Sequence, residues 1–566
     1  MLRRTFKYSV IFCVILLLLM GAGVVTLVTI DLNRFKPELE AYIKKTTGRE
    51  LVVKGKFLPS FSLTPAFETH DVTFQNASWG SKTEMASIGT LQVKIALLPL
   101  LHKEIRIKNI VAKDASLLLE ENVKGTKNWD IFPSNKTKTE SGFTFTIDQV
   151  TLENTIIAYF EQKQEKALIT VDSFVLKRED DRIKTNFAGI YNHIPLLIES
   201  TIAQTATLKD GTVTTSSVIT TKNSSVTVKA SVDHLFDNPA IKGKITGKSL
   251  VIDDFIPVKD IVGEIPPPPP SATVLSNKPI PFESLKNINA DLTLDLEKLQ
   301  YRHSVFTGLQ SKIALHHSIL SVAPFKATLA NGALSGKVNL DGNAKPPLLT
   351  IALDGEQMHT ESLLKTMQIL PNLTDGSINF KLETTAKGNS LHAIAASLNG
   401  EANIYLEKAR YHSKADLGSA EGFFNVLTGK KDGNSMRINC AATVFGINDG
   451  IASSKAMVMD TTGALVTGTG QTDMGKETLA FVFTPKAKTV GVADLVVPMR
   501  WQGTYQSAKL SPDKKGFLQK VGKTALSVAT GGVSTLSFIA VDMVKKLGIP
   551  ARGNVCLAAI SAQSSF

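Results

Sequence analysis

The chain has 566 residues, more than one ordinary hydrophobic core accommodates, so several domains or one elongated array is expected. Its composition is 43% hydrophobic and only 20% charged, which excludes a chain that is disordered over most of its length. The net charge of +12 is spread as single lysines rather than gathered with aromatic residues into a stripe, which argues against nucleic-acid binding and leaves attraction to anionic lipid head groups open.

An apolar segment near the N-terminus is the first predicted element. Val10 to Ile30 carries no charge and has about the 20 residues that a helix needs to cross a bilayer. Three cations, Arg3, Arg4 and Lys7, precede it. They predict that residues 1–9 lie in the cytoplasm and that the chain after the apolar segment lies on the opposite side of the membrane. A cleavable signal peptide is the alternative, but its apolar region is usually only about 7 to 15 residues long. We therefore expect an uncleaved, single-pass transmembrane helix over residues 10–30.

A short amphipathic helix is predicted directly after this segment, over Phe35 to Gly48. Apolar residues recur there at helical spacing, Pro37 lies in the first turn, and Gly48 is placed to end the helix.

From there to about Lys248, nearly every segment has the period-two pattern of a β-strand. The stretch from Leu91 to Glu121 is the clearest, because apolar and polar residues alternate along it with only short interruptions. The alternation predicts a sheet with one apolar face. The predicted members of that face are Leu91, Val93, Ile95, Ile105, Ile107, Leu117 and Leu119.

Five consecutive prolines interrupt the strand pattern in "IPPPPPS", Ile265 to Ser271. Proline donates no backbone hydrogen bond, so the segment cannot join a sheet interior and is expected to be a stiff connector. A recognition peptide for a proline-binding partner is the alternative. We predict a linker over 263–281 between an N-terminal β-groove region, 31–262, and a C-terminal β region, 282–512.

The cleanest alternation in the chain follows the linker, in "INADLTLDLEKL". It adds Ile288, Leu292 and Leu294 to the predicted apolar face. Asn-Gly and Asp-Gly steps suit tight hairpins whose central residues need positive φ, so antiparallel meanders are expected rather than parallel βαβ units. Five such steps are Asn331-Gly332, Asp341-Gly342, Asp375-Gly376, Asn399-Gly400 and Asp449-Gly450.

Few helices are predicted in the second half. Two short ones are expected at about Glu361 to Leu370 and Ala415 to Leu427. The C-terminal region, 513–566, is expected to form a helical hairpin of Gly516 to Thr530 and Val533 to Leu547. A second membrane contact is the alternative for the uncharged stretch Leu526 to Val541, but this stretch is short for a span and carries a Gly-Gly break.

No catalytic or metal-binding motif emerges. The chain has no Walker loop, no G-x-S-x-G and no H-E-x-x-H, and its ten scattered histidines complete no metal-ligand set. The sequence therefore predicts a protein that is not an enzyme and holds no cofactor or metal.

The three cysteines leave one pairing open. Cys13 lies in the predicted membrane segment, so Cys440 and Cys556 are the two outside it. In an oxidising compartment they would either form a disulfide or remain two separate buried thiols.

The apolar sheet face has to be hidden or occupied. A two-layer sandwich hides such a face against another sheet, and a closed barrel hides it inside. A long curved sheet would instead leave it lining a groove, where acyl chains are the obvious guests for a protein tethered to a membrane.

Several stretches, in order, resemble the AsmA family. They are "TGRELVVKG" from Thr47, "NASWG" from Asn76, "LQVKIALLPLLHKEIRIKNIVAKDASLLLEEN" from Leu91, "GTKNW" from Gly125, "INCAATVFGINDG" from Ile438 and "MRWQGTYQSAKLSPD" from Met499. The resemblance implies an inner-membrane-anchored periplasmic protein of a Gram-negative bacterium, with an elongated, curved antiparallel β-sheet groove akin to the bridge-like lipid transfer proteins. It brings no catalytic residues. The family's C-terminal cysteine pattern matches "INCAA" and "NVCLA", which favours a disulfide between Cys440 and Cys556.

The resemblance also implies a role in phospholipid movement to the outer membrane or in its assembly. The leading hypothesis is a protein that conducts phospholipid acyl chains between the inner and outer membranes, with an outer-membrane or periplasmic protein as a partner and no nucleic acid. The alternative is a scaffold or assembly factor for outer-membrane protein insertion that conducts no lipid.

Overall fold

The computed structural model describes residues 32–60, 66–96, 98–102, 104–131, 144–162, 164–204, 211–234, 239–255, 274–282, 286, 288–367, 373–412, 435–488, 498–513 and 555–556. The predicted membrane segment, the helix over 415–427 and the C-terminal helical hairpin lie outside these residues. None of the helices inside them combines the length and the apolar character that a membrane span requires.

The described part of the chain is mainly β, as predicted, with 27 strands and a few short helices. It divides into two compact units. The described residues of the first are 32–204, 214–225 and 254–255, and those of the second are 211–213, 226–253 and 274 onward. The described part of the predicted linker, residues 274–281, belongs to the second unit.

The first unit contains one helix and the first eleven strands. They are a 3₁₀ turn Leu32–Phe35, α1 Lys36–Thr47, β1 Leu51–Val53, β2 Leu58–Ser60, β3 Ala66–Gln75, β4 Glu84–Ala96, a 3₁₀ turn Leu98–His102, β5 Glu104–Glu121, β6 Thr144–Ile147, β7 Gln149–Glu161, β8 Gln164–Glu179, β9 Arg182–Tyr191, β10 Ile194–Gln204 and β11 Val213–Thr221. The predicted first helix is confirmed, because α1 begins and ends within one residue of the predicted bounds. Gly48 follows it directly with φ 72°, the left-handed conformation that ends many helices.

The second unit contains the remaining strands and two short helices. They are β12 Ser225–Asp233, β13 Ala240–Val251, a 3₁₀ turn Ile252–Phe255, β14 Asn289–Tyr301, β15 Ser304–His316, β16 Ile319–Leu329, β17 Gly332–Asp341, β18 Leu348–His359, α2 Thr360–Met367, β19 Leu373–Thr374, β20 Ser377–Lys387, α3 Leu391–Ala396, β21 Asn399–His412, β22 Ser435–Asn448, β23 Ile451–Thr461, β24 Ala464–Asp473, β25 Thr478–Ala487, β26 Met499–Thr504 and β27 Lys509–Pro512. The helix predicted from Glu361 is α2, whereas α3 was not predicted.

The strands pair mostly in antiparallel fashion, but the expectation of antiparallel pairing throughout is wrong at two places. β5 pairs in parallel with β6 and β7, and β13 pairs in parallel with β14. Parallel neighbours need a long crossover connection, which the segments 122–143 and 252–288 supply. The proline-rich segment lies in the second of these connections, so the strands on either side of it are direct neighbours.

One of the Asp-Gly steps forms the predicted tight turn: Asp449 and Gly450 adopt φ of 44° and 74° between the paired strands β22 and β23. Positive φ at both central positions matches the twist of paired strands, which is why these dipeptides suit hairpins.

The other four steps behave differently. Asp375 and Gly376 also have positive φ, 55° and 69°, but β19 and β20 both pair with β21 in one register, so this step interrupts a continuous strand and is not a hairpin turn. The turn before β17 uses Ala330 and Asn331, one residue earlier than predicted, with φ of 49° and 59°. Asp341-Gly342 precedes a longer loop, and Asn399-Gly400 begins β21 because α3 makes the connection from β20. A dipeptide therefore marks a turn only when the neighbouring strands end there.

The best-packed core lies in the second unit, where α2 meets the sheet. Leu363 and Leu364 of α2 are buried, and Met358 of β18 is fully inaccessible. Cys440 of β22 is bonded to Cys556, which attaches the C-terminal residues 555–556 to this part of the sheet.

We predict that Gly376→Ala destabilises the second unit more than Gly308→Ala. Both glycines have positive φ, 69° and 60°, so both substitutions carry the left-handed penalty of about 1–2 kcal/mol. Only at Gly376 would the new methyl group clash with a backbone atom, the carbonyl oxygen of Glu407, whereas it meets open space at Gly308. Urea unfolding midpoints measure the difference, and equal shifts would contradict the close approach of Gly376 to β21.

Candidate functional site

Two rows of apolar side chains cross the first unit from strand to strand. One row consists of Phe67, Val93, Ile110, Val150 and Leu176. The next consists of Leu91, Ala112, Leu152, Phe174, Phe187 and Ile198. Directly paired residues of neighbouring strands point to the same side of a sheet, so the two rows form one apolar face.

The opposite face of the same strands is polar. Gln92 donates a hydrogen bond to Glu68 at 3.3 Å, and Lys113 forms a 2.8 Å ion pair with Glu153. The hydrogen bond to Glu153 raises the pKa of Lys113, so this ammonium group stays charged. The sheet of the first unit is therefore two-faced.

The structure places the predicted residues of β4 and β5 as follows. Leu91 and Val93 lie in the two rows. Ile95 pairs with Ile107 across a register shift at Lys94, which the sequence pattern does not show. Ile105 pairs with Phe145 on β6. All five predicted residues from Leu91 to Ile107 are half-buried.

Leu117 and Leu119 lie beyond an interruption of the strand pattern. Asp114 adopts φ 53°, and Asp71 and Asn154 adopt 53° and 49° at the same level of β3 and β7. Aspartate and asparagine tolerate this left-handed conformation better than most residues. These three residues interrupt the alternation, so counting every second residue from Leu91 does not predict which face Leu117 and Leu119 occupy. Pairing shows Leu117 opposite Ala86 and Leu119 beside Tyr159.

The second unit repeats the arrangement over more strands. Its longest row runs over nine strands and consists of Ile245, Leu294, Ser311, Phe325, Gly336, Leu353, Leu382, Ala402 and Phe445. The adjacent row consists of Leu292, Ile313, Val322, Val338, Ile351 and Thr384. The other face carries charged pairs such as Lys244 with Asp295 at 3.3 Å.

Of the residues predicted here, Leu292 and Leu294 belong to these rows, and Ile288 lies one residue before β14 with its side chain exposed. Most of the row members on β15 to β22 were not predicted from the sequence. The signal that would have found them is the strand alternation combined with hairpin register.

Aromatic side chains meet at the far end of the longest row. Phe445 packs edge-on against Phe481 with ring centroids 6.1 Å apart, and Phe481 lies 6.2 Å from Trp501. Gly470 of β24 stands opposite Phe481, and the missing side chain leaves room for the ring. Apolar surface therefore continues to β26.

The degree of burial distinguishes these faces from an ordinary core. Apart from Ala112 and the small residues, the row members in both units are half-buried. The inner face of a sandwich would be largely inaccessible, since packed interiors exclude water. Within the described residues of each unit, the rows are thus available to an apolar guest.

A second feature of the first unit is a buried polar cluster. Asn128 is fully inaccessible, and its side-chain amide donates to the side chain of Asn76 at 3.0 Å and to the Leu118 carbonyl at 2.8 Å. Its side-chain oxygen accepts from the Glu120 backbone at 2.8 Å. Asn76 also donates to the Glu120 carboxylate at 2.7 Å and to the Lys82 carbonyl at 3.0 Å, so the buried side-chain amides have hydrogen-bond partners.

Arg49 completes the cluster. Its guanidinium donates to the backbone carbonyl of Asn128, and burial lowers its pKa. The cluster therefore joins residues of "TGRELVVKG", "NASWG", the Leu91 stretch and "GTKNW", four separate stretches that share no catalytic pattern. The contacts among these four stretches hold one end of β5 in place, which is a structural role.

A pocket of about 380 Å³ adjoins this cluster rather than the apolar rows. It is lined by Lys82, Thr83, Glu84, Met85, Ala86, Ser87, Ser116 and Leu118. Its lining mixes charged, hydroxyl and apolar groups, so it does not continue the apolar face. Over the described ranges, no three His, Cys, Asp or Glu side chains come together as metal ligands.

Comparison with known proteins gives one family. A family model described as the AsmA family matches residues 2–253 and 268–457. No solved structure matches the chain.

Two curated relatives from Escherichia coli (strain K12) are similar to the chain. "AsmA family protein YhjG" is 23% identical over 262 residues, which are 45% of this chain and 38% of that protein. "Protein AsmA" is 18% identical over 592 aligned residues, covering 89% of this chain and 93% of that protein. The match to the first relative thus spans less than half of its length.

We predict that Asn128→Ala lowers the stability of the first unit by about 1–3 kcal/mol, because the buried groups it serves lose their hydrogen bonds. Asn186→Ala is the matched control, since Asn186 is exposed on β9 of the same unit. Urea unfolding followed by the fluorescence of Trp79 and Trp129 measures both. Equal effects would mean that the cluster does not hold the end of β5.

Proposed function

The chain belongs to the AsmA family, and on this premise we propose that it is anchored in the inner membrane and conducts phospholipids between the inner and outer membranes, in support of outer-membrane biogenesis. The bulk of the chain lies in the periplasm, and the apolar faces of its sheets bind the acyl chains. The proposal contains no catalytic step and needs no cofactor.

The observation that carries the proposal is the half-buried state of the apolar rows. An exposed apolar patch of this extent on a protein surface normally marks a binding surface. The rows run across the strands, so a guest lying along them would pass from one strand to the next and meet only two small polar side chains, Ser311 and Thr384, both of them buried. The charged opposite face suits contact with water.

The energetics of lipid movement favour such a surface. Exposing one methylene group to water costs about 0.8 kcal/mol, so an acyl chain that leaves a bilayer unaccompanied pays this amount many times over. A continuous apolar face replaces the lost contacts. This requirement, rather than any reacting group, explains why the rows extend over so many strands.

The length of the rows fits an acyl chain. At about 4.8 Å per strand, the nine-strand row of the second unit is about 40 Å long. One leaflet of a bilayer contributes about half of a 30 Å hydrocarbon core, so an extended acyl chain occupies less than half of that row. The row therefore accommodates a chain in several successive positions, as conduction requires.

We predict that a photo-crosslinking amino acid at Leu292 or Leu353 captures phospholipid in living cells. Both residues lie in the apolar rows of the second unit. The controls are Thr293 and Asp354, their neighbours on the other face of the same strands. Adducts labelled through lipid phosphate are expected at the first two positions and not at the controls.

Capture of envelope proteins instead of lipid at Leu292 and Leu353 would overturn lipid conduction. That outcome would support the alternative of a scaffold for outer-membrane protein insertion. Equal lipid capture at all four positions would show contact with lipid but no groove.

We also predict that Leu292→Asp impairs the outer-membrane barrier while Thr293→Asp does not. A carboxylate in the row interrupts the apolar path and costs energy beside an acyl chain. At position 293 the same carboxylate would face Lys244 and Lys312 on the neighbouring strands. Sensitivity of cells to detergent measures the barrier, and immunoblotting checks that both variants accumulate. Unchanged resistance in Leu292→Asp would contradict conduction along this row.

A further inference from the structure

The turn between β4 and β5 exposes a leucine to an unusual degree. Leu98, in the 3₁₀ turn Leu98–His102, is 78% accessible, and among the large apolar residues that the structure describes only Val123 is as exposed. The sequence of the turn, "LPLLH", is rich in leucine. An exposed leucine gains free energy when an apolar environment covers it, in proportion to the apolar area that is removed from water.

The position of the turn is fixed by strand pairing. β4 runs from Glu84 to Ala96 and leads into the turn. Its last residues pair with the first residues of β3, Lys94 opposite Ala66. The turn thus projects from the end of the sheet at which β3 begins.

The direction of α1 points to the same end. Asn33, just before the helix, accepts a hydrogen bond from the Phe57 backbone at 2.9 Å, directly before β2, which pairs with the start of β3. At the other end of α1, Glu50 accepts from the backbone of Gln75, the last residue of β3, at 2.9 Å. Followed backwards, the chain therefore leaves α1 toward the end of the sheet that carries the turn.

The residues immediately before this exit are the uncharged stretch Val10 to Ile30. If that stretch crosses the inner membrane, the membrane surface lies beside the end of the sheet where α1 begins. The exposed turn projects from this end, whereas the buried polar cluster around Asn128 lies at the other end of β5.

We propose that the β4–β5 turn, with Leu98 at its tip, inserts into the interfacial layer of the membrane in which the chain is anchored. The proposal rests on the membrane anchor of the proposed function and names a second, independent contact with the same bilayer. Its role is to hold the first strands of the sheet at a fixed distance from the lipid surface.

Charge at this end agrees with a phospholipid surface. Arg106 and Lys108 of β5 both bind Asp148, at 3.0 and 2.9 Å, so two cations share one carboxylate. Burial raises the pKa of Asp148, but the hydrogen bonds and charges of Lys108 and Arg106 together lower it further than burial raises it. The pKa of Asp148 is therefore below its ordinary value, and the carboxylate stays ionised. The three groups carry a net positive charge, which anionic head groups attract.

The experiment uses the full chain reconstituted into vesicles of phosphatidylethanolamine with a minority of phosphatidylglycerol, in which part of the lipid carries bromine atoms on its acyl chains. Leu98→Trp adds one fluorophore at the tip of the turn. Bromine quenches tryptophan only at close contact. We expect the fluorescence of the introduced tryptophan to be shifted to shorter wavelength and to lose most of its intensity in the brominated vesicles.

Val123→Trp is the matched control. Val123 is also 78% accessible, but it follows the other end of β5, a strand of 18 residues, so up to about 60 Å separates it from the turn. We expect its added emission to be unshifted and unquenched. Equal quenching at both positions, or none at Leu98→Trp, overturns the inserted turn.

Vesicle flotation separates this failure from that of the proposed function. If the chain floats with the vesicles but Leu98→Trp is not quenched, the anchor stands and the inserted turn is wrong. If the chain does not float, the anchor itself fails. Capture of another protein or a second copy by a crosslinker at Leu98, with no quenching, assigns the turn to a protein contact and also overturns the proposal.

Discussion

Backbone hydrogen bonding between neighbouring strands is the constraint on which the rest of the structure depends. Each pairing fixes which side chains stand opposite one another, and a shift of one residue would move every side chain of a strand to the other face. Because the register is kept over many pairings, Leu294 on β14 and Phe445 on β22 end in the same row. The apolar faces are therefore a product of register rather than of a packed core.

A few irregular positions interrupt the regular strand pairing. Asp71, Asp114 and Asn154 take up left-handed conformations at one level of the first unit, and the parallel junctions occur where long connections allow them. At the end of β5, the cluster around Asn128 links the side chains of Asn76 and Asn128 to one another and to β5. In the second unit, α2 packs against the sheet, and the disulfide of Cys440 attaches residues 555–556 to β22. The resulting sheets keep one face polar and leave the other half-buried.

A half-buried apolar face is costly for a protein in water, and this cost is the physical argument for the proposed function. A guest that buries it gains free energy in proportion to the apolar area covered. Acyl chains fit the extent of the rows and their mainly apolar side chains. One requirement underlies both proposals: apolar groups must pass between environments without entering water. It applies to the movement of phospholipid and to the insertion of a turn into the membrane beside α1.

The sequence by itself determined that the chain is mainly β, that α1 follows the apolar N-terminal stretch, and that Leu91, Val93, Leu292 and Leu294 belong to apolar faces, because alternation and helix-ending signals are local properties. Only the tertiary structure decided which strands are neighbours. It placed the proline-rich segment in a crossover between parallel strands, paired Ile95 with Ile107 through a register shift, and brought Arg49, Asn76 and Asn128 into one cluster. Bulges, crossovers and contacts between distant stretches depend on non-local hydrogen bonds, which no local pattern records.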